Sequence, residues 1–276
     1  MLEVRSSYLL ATATWNASFP EPTTREGSSP SRFLFLKVLE LHPMSGKKIQ
    51  PISSIVAQLR VAIAAVDVVL FTIIDNAPHV FLVPVHRPPH YTNSHGLPGG
   101  VMAEHEDADM AAARHLKEKA HIVGAHIEQL YTFSAPQRDK RSRSISIAYV
   151  ALASSEQLSI GEKSEGKWFP VSKLPKLAYD HLDIIAMALE RLRGKLAYTN
   201  IVAGLLPRQF TLTELQRAYE IILDRSLDKR NFRKKMLSIG LIKEAGKTRK
   251  TTHRPAQLYL FAKKELTTIP EVRAAL

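Results

Sequence analysis

Residues 114–122 read RHLKEKAHI, and they begin eight positions after Glu106, which itself follows Gly100 by six. A loop glycine, an acid and then ionisable residues one helical turn apart have the spacing of a metal-dependent catalytic helix. Such chemistry asks for carboxylates, because Mg²⁺ and Mn²⁺ are hard cations that take oxygen ligands. Here His115 and Lys119 stand where carboxylates would be wanted. A second concentration of chemistry lies downstream. Between residues 224 and 264 there are 13 Lys/Arg against 3 Asp/Glu, a local net of +10 in a chain whose total is +12. An excess confined to one short region points to a polyanion-binding surface, with a merely solvated basic face as the alternative.

The elements that must position these residues follow from hydrophobic period and turn chemistry. At 276 residues the chain is long enough for two modest domains, or for one domain and a tail. With no Cys, disulfides, thiolate metal sites and cysteine nucleophiles are excluded, and the composition suits a reducing cytoplasm. The longest apolar run, VAIAAVDVVLFTI at 61–73, is interrupted by Asp67 and falls short of a membrane span. The first residues make a poor signal peptide. Residues 1–52 mix Pro, Ser and Thr without a sustained period and read as a disordered extension; Met44 is a second candidate start.

From residue 61 the pattern changes. VAIAAVDVVLFTI and HVFLVPV (79–85) read as buried strands joined through Asp75, Asn76 and Pro78, HGLPGG (95–100) as a loop, and DADMAAARHLKEKAHI (107–122) as an Ala-rich helix opened by Asp107 and Asp109. Strands at 127–133 and 144–153 flank the charged loop SAPQRDKRSR. This alternation predicts an α+β domain over 53–178. A long helix at 180–196, with Leu182, Ile185, Met187, Leu189 and Leu192 as its apolar positions, reads as the linker within 179–200. Thr211 and Glu214 have capping-box spacing, which starts a helix over 211–223. A basic helix at 228–240 and two short strands around GKTRKTTHRPA complete a winged helix-turn-helix over 201–276.

LPGG at 97–100, Glu106 and Arg114 fit the opening of the Nudix box, and the chain resembles the Nudix-related transcriptional regulators, in which a degenerate Nudix domain precedes a winged helix. RDKR (138–141), YDH (179–181), FTLTELQ (210–216), FRKK (232–235) and RPAQLY (254–259) carry the resemblance over about residues 55–262. It implies a Nudix-type α/β/α sandwich followed by a C-terminal winged helix-turn-helix. It implies repression of NAD-metabolism genes under control of ADP-ribose or a related nucleotide.

In the second half of the box His115 and Lys119 replace two glutamates and His121 replaces the glycine, leaving Glu118. The expected consequence is a phosphate site without a hydrolytic metal centre: no catalytic residue, no required cofactor, and Mg²⁺ only if a residual site survives on Glu106 and Glu118. Glu106 is otherwise expected to pair with Arg114 and brace the loop. Nucleotide contacts are expected from Arg87, Gly99, Gly100, Glu118, Lys119, Arg138, Asp139 and Arg141. Arginines there can bind phosphate bidentately, although His86 competes with Arg87 for the register, and an exposed hairpin tip is the lesser alternative for Arg138, Asp139 and Arg141. DNA contacts are expected from Lys229, Arg230, Asn231, Arg233 and Lys234, with Phe232, Met236 and Leu237 packed inward, and from Arg249, Lys250, His253 and Arg254 in the wing.

The reading is a cytoplasmic repressor, a homodimer on a palindromic double-stranded operator, with a nucleotide effector. An active Nudix hydrolase of ADP-ribose with an accessory nucleic-acid domain, and a winged-helix protein adaptor, are the rivals.

Overall fold

The computed structural model describes residues 62–158, 164–250, 255–263, 265–269 and 272. The expectation of disorder for residues 1–52 and the assignments of His253 and Arg254 lie outside these. Strand β1 (Ile63–Ile74) turns through Asp75 and Asn76, both at positive φ, into β2 (Ala77–Arg87). A two-residue loop with two left-handed positions is the turn that matches strand twist, and Asn and Asp tolerate it. Strand β3 (Tyr91–Gly96) ends, and β4 (Gly99–Val101) begins, inside the 95–100 segment expected to be a loop. Their residues, TNSHG and GGV, lack the apolar run that marks a strand. Backbone pairing makes them: β3 pairs with β2, and β4 places Gly100 opposite Val66 on β1.

Helix α1 (Ala108–Ala120) is capped by Asp107, whose carboxylate accepts the Met110 amide at 2.8 Å, and ends on His121 in the left-handed region. Strands β5 (His126–Phe133) and β6 (Ser144–Leu152), the short helix α2 (Ser155–Leu158) and β7 (Lys167–Pro170) complete the sheet. Its order is β3-β2-β1-β6-β5, with β4 beside β1, β7 beside β2, and β1 parallel to β6.

Both faces of this sheet are covered, and alternation along β1 shows how. Val66, Val68 and Leu70 meet Ala111, Ala112 and Leu116 of α1, whereas Val69 and Phe71 meet Ile184, Ile185, Ala188 and Leu192 of helix α3 (His181–Leu196). Each such side chain contributes about 1.5–3 kcal/mol on burial. The face of α3 follows the sequence pattern except at Leu182, which is 58% exposed.

A 3₁₀ turn (Ile201–Leu205) leads to α4 (Leu212–Leu223), α5 (Lys229–Ser238), β8 (Ile242–Arg249) and β9 (Ala256–Phe261). The capping box at Thr211 and Glu214 is formed in both directions. Leu215, Tyr219, Ile222, Phe232 and Met236 continue the apolar cluster that begins under the sheet at Val69 and passes through Leu192 and Leu196. Helix α3 is thus the third layer of the sandwich and the floor of the helix-turn-helix at once. Leu237, expected to pack inward, is 46% exposed.

Candidate functional site

A cavity of about 560 Å³ opens over β1, β2, β4 and the N-terminus of α3. Of the residues expected to meet a nucleotide, all line it except Glu118, which is exposed on α1. Both His86 and Arg87 line it as well, and Arg87 donates to the His86 carbonyl at 3.1 Å. The glycines are there because backbones crowd. A Cβ on Gly99 would stand 2.3 Å from the Val66 carbonyl, and one on Gly100 would meet the His115 ring at 2.8 Å.

The box residues have gone to other partners. Glu106 accepts from the Arg114 guanidinium at 2.9 Å and from the Ala103 amide at 2.6 Å, which pins the loop to the helix. The Arg114 contact, with the Ala103 amide behind it, lowers the Glu106 pKa to about 2. Glu118 turns to Arg114 at 3.2 Å. The Lys119 amine donates to the Gly99 carbonyl, and burial lowers its pKa. The His115 ring is buried beneath Gly100; the Val101 backbone and the Glu118 carboxylate, 3.9 Å away, lie near but give neither ring nitrogen a well-formed hydrogen bond. A hard divalent cation needs several converging oxygens. These residues do not fit one: Glu106 and Glu118, the two carboxylates that remained as metal candidates, both face Arg114. Among the described residues no three His, Asp or Glu side chains converge as a metal site.

The cavity floor holds a buried charge cluster that the sequence did not disclose. Arg138 was expected on a loop closing over phosphate, but it is buried and bonded to Asp180 at 2.8 and 3.0 Å and to Asp67 at 3.2 Å. Asp67 also accepts from Ser146 at 2.6 Å and lies 3.4 Å from His181 Nε2. Because the Leu97 amide donates to His181 Nδ1 at 2.9 Å, the ring proton sits on Nε2, toward Asp67. Burial alone would raise the Asp67 pKa; His181, Ser146 and Arg138 outweigh it and hold the carboxyl below its ordinary range. Asp139 is likewise held low, since Arg141 outweighs the effect of burial.

Arg141 also lines the cavity. Its Nε and one terminal nitrogen bind Asp139 at 3.1 and 2.8 Å, and its guanidinium lies 5.4 Å from the Tyr179 ring centre and 5.9 Å from that of Tyr91. Tyr179, which lines the cavity, has φ of 56°. A bulky residue in this left-handed region costs on the order of 1–3 kcal/mol and persists only where its surroundings hold it. Sequence reasoning missed Asp67, Tyr179 and His181 as site residues. The only available signals were an acid inside an apolar run and the YDH triplet.

The basic region has the opposite character. Asp228 caps α5 by accepting the Asn231 amide at 2.7 Å, and Lys229, Arg230, Asn231 and Lys234 are exposed along the helix. Among the described residues, Lys229, Arg230 and Lys234 make no ion pair. Arg233 is half-buried and donates to Thr213 at 2.8 Å. On the wing, Arg249 binds Glu214 at 2.6 Å and the Gln209 carbonyl at 3.2 Å, and Lys250 is exposed.

A Nudix sandwich with an altered metal helix, sharing a core with a basic winged helix, defines a Nudix-related regulator. Residues 64–188 match the NUDIX domain and residues 202–261 the NrtR DNA-binding winged helix domain. The chain is 35% identical over 205 residues to the ADPR responsive transcriptional repressor NtrR of Acinetobacter baylyi, covering 71% of this chain and 81% of that protein. It is similar to the crystal structure of Shewanella oneidensis NrtR complexed with a 27mer DNA, with 34% identity and a TM-score of 0.65 over 76% of this chain and 95% of that one. Over 90 residues it is also 34% identical to an ADP-ribose pyrophosphatase of Methanocaldococcus jannaschii, covering 32% of this chain and 53% of that enzyme. The chain belongs to the NrtR family of Nudix-related transcriptional regulators.

Proposed function

We propose that the chain is a DNA-binding transcriptional repressor of NAD-metabolism genes whose Nudix domain binds ADP-ribose or a related NAD-derived nucleotide as effector without hydrolysing it. The observation that carries this reading is a cavity of nucleotide size, lined by Arg87, Lys119 and Arg141, beside a helix whose metal-ligand positions hold His115, Lys119 and a Glu118 turned to Arg114. The Acinetobacter relative is named for its response to ADPR, which supports the choice of effector. The protein works in the cytoplasm as a homodimer on a palindromic operator, since two recognition helices meet half-sites in register when about 34 Å or a multiple apart. Among the described residues no helix is long and apolar enough to cross a membrane.

The DNA surface is assigned to Lys229, Arg230, Asn231 and Lys234, whose side chains make no hydrogen bond or ion pair among the described residues, with Lys250 on the wing. Arg233 and Arg249 would have to leave protein partners to join them. Operator binding measured by gel shift, with and without ADP-ribose, tests the reading. A change in affinity is expected, and an affinity indifferent to ADP-ribose overturns it. The similarity to an ADP-ribose pyrophosphatase favours a second reading, hydrolysis. No turnover is expected with Mg²⁺ or Mn²⁺, and a rate of about 1 per second, ordinary for an enzyme, would establish hydrolysis.

A further inference from the structure

Three consecutive residues join the cavity to the DNA-binding half. Tyr179 lines the cavity at a left-handed backbone position, with its ring 4.4 Å from Tyr91 and 5.0 Å from His181. Asp180 precedes α3 and holds Arg138 on the cavity floor through two hydrogen bonds. His181, the first residue of α3, takes the Leu97 amide on one ring nitrogen and faces Asp67 with the other. The far end of α3 is tied to α4: Arg193 donates to the Ile222 carbonyl at 2.8 Å, and Leu192 and Leu196 share a core with Leu215 and Tyr219. Tyr219 in turn packs on Phe232 of α5, with ring centres 5.4 Å apart.

We propose that Tyr179 is the positioning residue through which nucleotide in the cavity acts on the recognition helix, with Arg141 as the group that senses the nucleotide's phosphate. The inference rests on the effector reading above. Arg141 lies over the Tyr179 ring and, at 5.9 Å, that of Tyr91, while its hydrogen bonds go to Asp139. A phosphate is a stronger partner for a guanidinium than an aromatic face. Phosphate bound by Arg141 draws the cation from the ring, and Tyr179 then loses one of the contacts that hold it in a conformation an L-residue disfavours. Relaxation at residue 179 moves Asp180 and His181, because they are its chain neighbours. Since α3 is packed along its length against both the sheet and α4, a shift at its first turn is delivered to α4 and α5 as movement of a rigid rod. An interface of this kind has discrete packed arrangements rather than a continuous range.

Two variants separate the ring from the backbone. Tyr179→Phe keeps the ring, whereas Tyr179→Gly removes it and makes the left-handed conformation freely available. For each full-length variant the operator affinity is measured without and with saturating ADP-ribose, and the ratio is read within that variant. Saturation is fixed beforehand by calorimetry, so weakened ligand binding is not mistaken for lost coupling. In the unmodified chain and in Tyr179→Phe the ratio should lie between about 5-fold and 150-fold, the usual span of coupling between two sites. In Tyr179→Gly it should fall to within about twofold of unity. Tyr179→Asn, which tolerates the left-handed region, repeats the measurement should glycine loosen the turn. A glycine or asparagine variant that keeps the full ratio overturns the role of Tyr179, and so does loss of the ratio in Tyr179→Phe. An unmodified chain that ignores ADP-ribose overturns the effector reading itself, a result distinguishable because it precedes any variant.

Discussion

The two halves of the molecule use charge in opposite ways. Around the Nudix cavity nearly every ionised side chain is matched: Glu106 with Arg114, Arg138 with Asp67 and Asp180, Asp139 with Arg141, Lys119 with the Gly99 carbonyl. On α5, Lys229, Arg230 and Lys234 project with no ion-pair partner among the described residues. Paired charges fix a shape and unpaired ones remain available to a polyanion. The arginines most easily assigned to phosphate by sequence are therefore not equivalent. Arg138 is part of the frame, Arg141 is exposed and lines the cavity, and Lys229, Arg230 and Lys234 of α5 are uncommitted among the described residues.

The paired charges should show the largest effect at Arg138. Arg138→Ala leaves the buried Asp67 and the half-buried Asp180 without their cation, and removing one partner of a buried ion pair costs about 3–5 kcal/mol. Chemical denaturation should show this loss, with any weakening of nucleotide response following from it. If Arg138→Ala unfolds at the same denaturant concentration as the unmodified chain, the frame role is wrong and Arg138 belongs with the ligand contacts.

The uncommitted cations should show the reverse. Lys229→Ala and Arg230→Ala are surface changes expected to alter stability by no more than about 0.5 kcal/mol. Each should nevertheless weaken operator and random duplex alike and lower the slope of log affinity against log salt by about one, the signature of a lost phosphate contact. Salt titration of both duplexes reads this. Unchanged slopes in both variants would move the DNA surface off this end of α5.

How much of this contrast was legible in sequence depends on how local its causes are. The β1–β2 hairpin, the Asp107 cap and the Thr211–Glu214 box are signalled by neighbouring residues, so the elements at those places were readable. Strands β3 and β4 were not, because TNSHG and GGV owe their strand form to backbone pairing with β2 and β1. The free cations of α5 could be read as a charge excess. The frame could not: Arg138 finds Asp67 across 71 residues and Asp180 across 42. Asp67 looked like a mere interruption of an apolar run, and nothing in the letters of Tyr179 announces a positive φ.

A smaller effect should follow from pH. His115 is held below the ordinary histidine value of 6.5 by burial first, then by the charges of Arg114 and Lys119. In the unfolded chain it takes up its proton near pH 6.5, whereas in the fold it stays neutral to lower pH. The unfolded state therefore binds more protons below about pH 6.5, so stability is complete above that value and declines as the pH falls beneath it. His115→Leu should flatten the fall in unfolding free energy below pH 6.5, measured by denaturation at several pH values. An unaltered pH profile would show that the ring ionises as freely in the fold as outside it.

The smallest effect tests whether the contrast holds inside the winged helix itself. Arg249 is basic and lies on the wing, yet unlike Lys229 it is engaged, with Glu214 at 2.6 Å and the Gln209 carbonyl at 3.2 Å. Glu214 also accepts the Thr211 amide at 2.7 Å, so Arg249 ties the wing to the capping box that starts α4. The pair is solvent-exposed, and exposed pairs contribute about 0.2–1 kcal/mol. Arg249→Ala should therefore cost at most that much in stability. A cation neutralised by a carboxylate releases few counterions when DNA arrives, because the Glu214 charge must be uncovered for Arg249 to reach a phosphate. Removing Arg249 should accordingly leave the salt slope nearly unchanged, where removal of Arg230 lowers it by about one. A full unit lost from the slope in Arg249→Ala would mean that DNA opens the Arg249–Glu214 pair, and pairing within the free protein would then no longer separate structural from DNA-binding cations in this half.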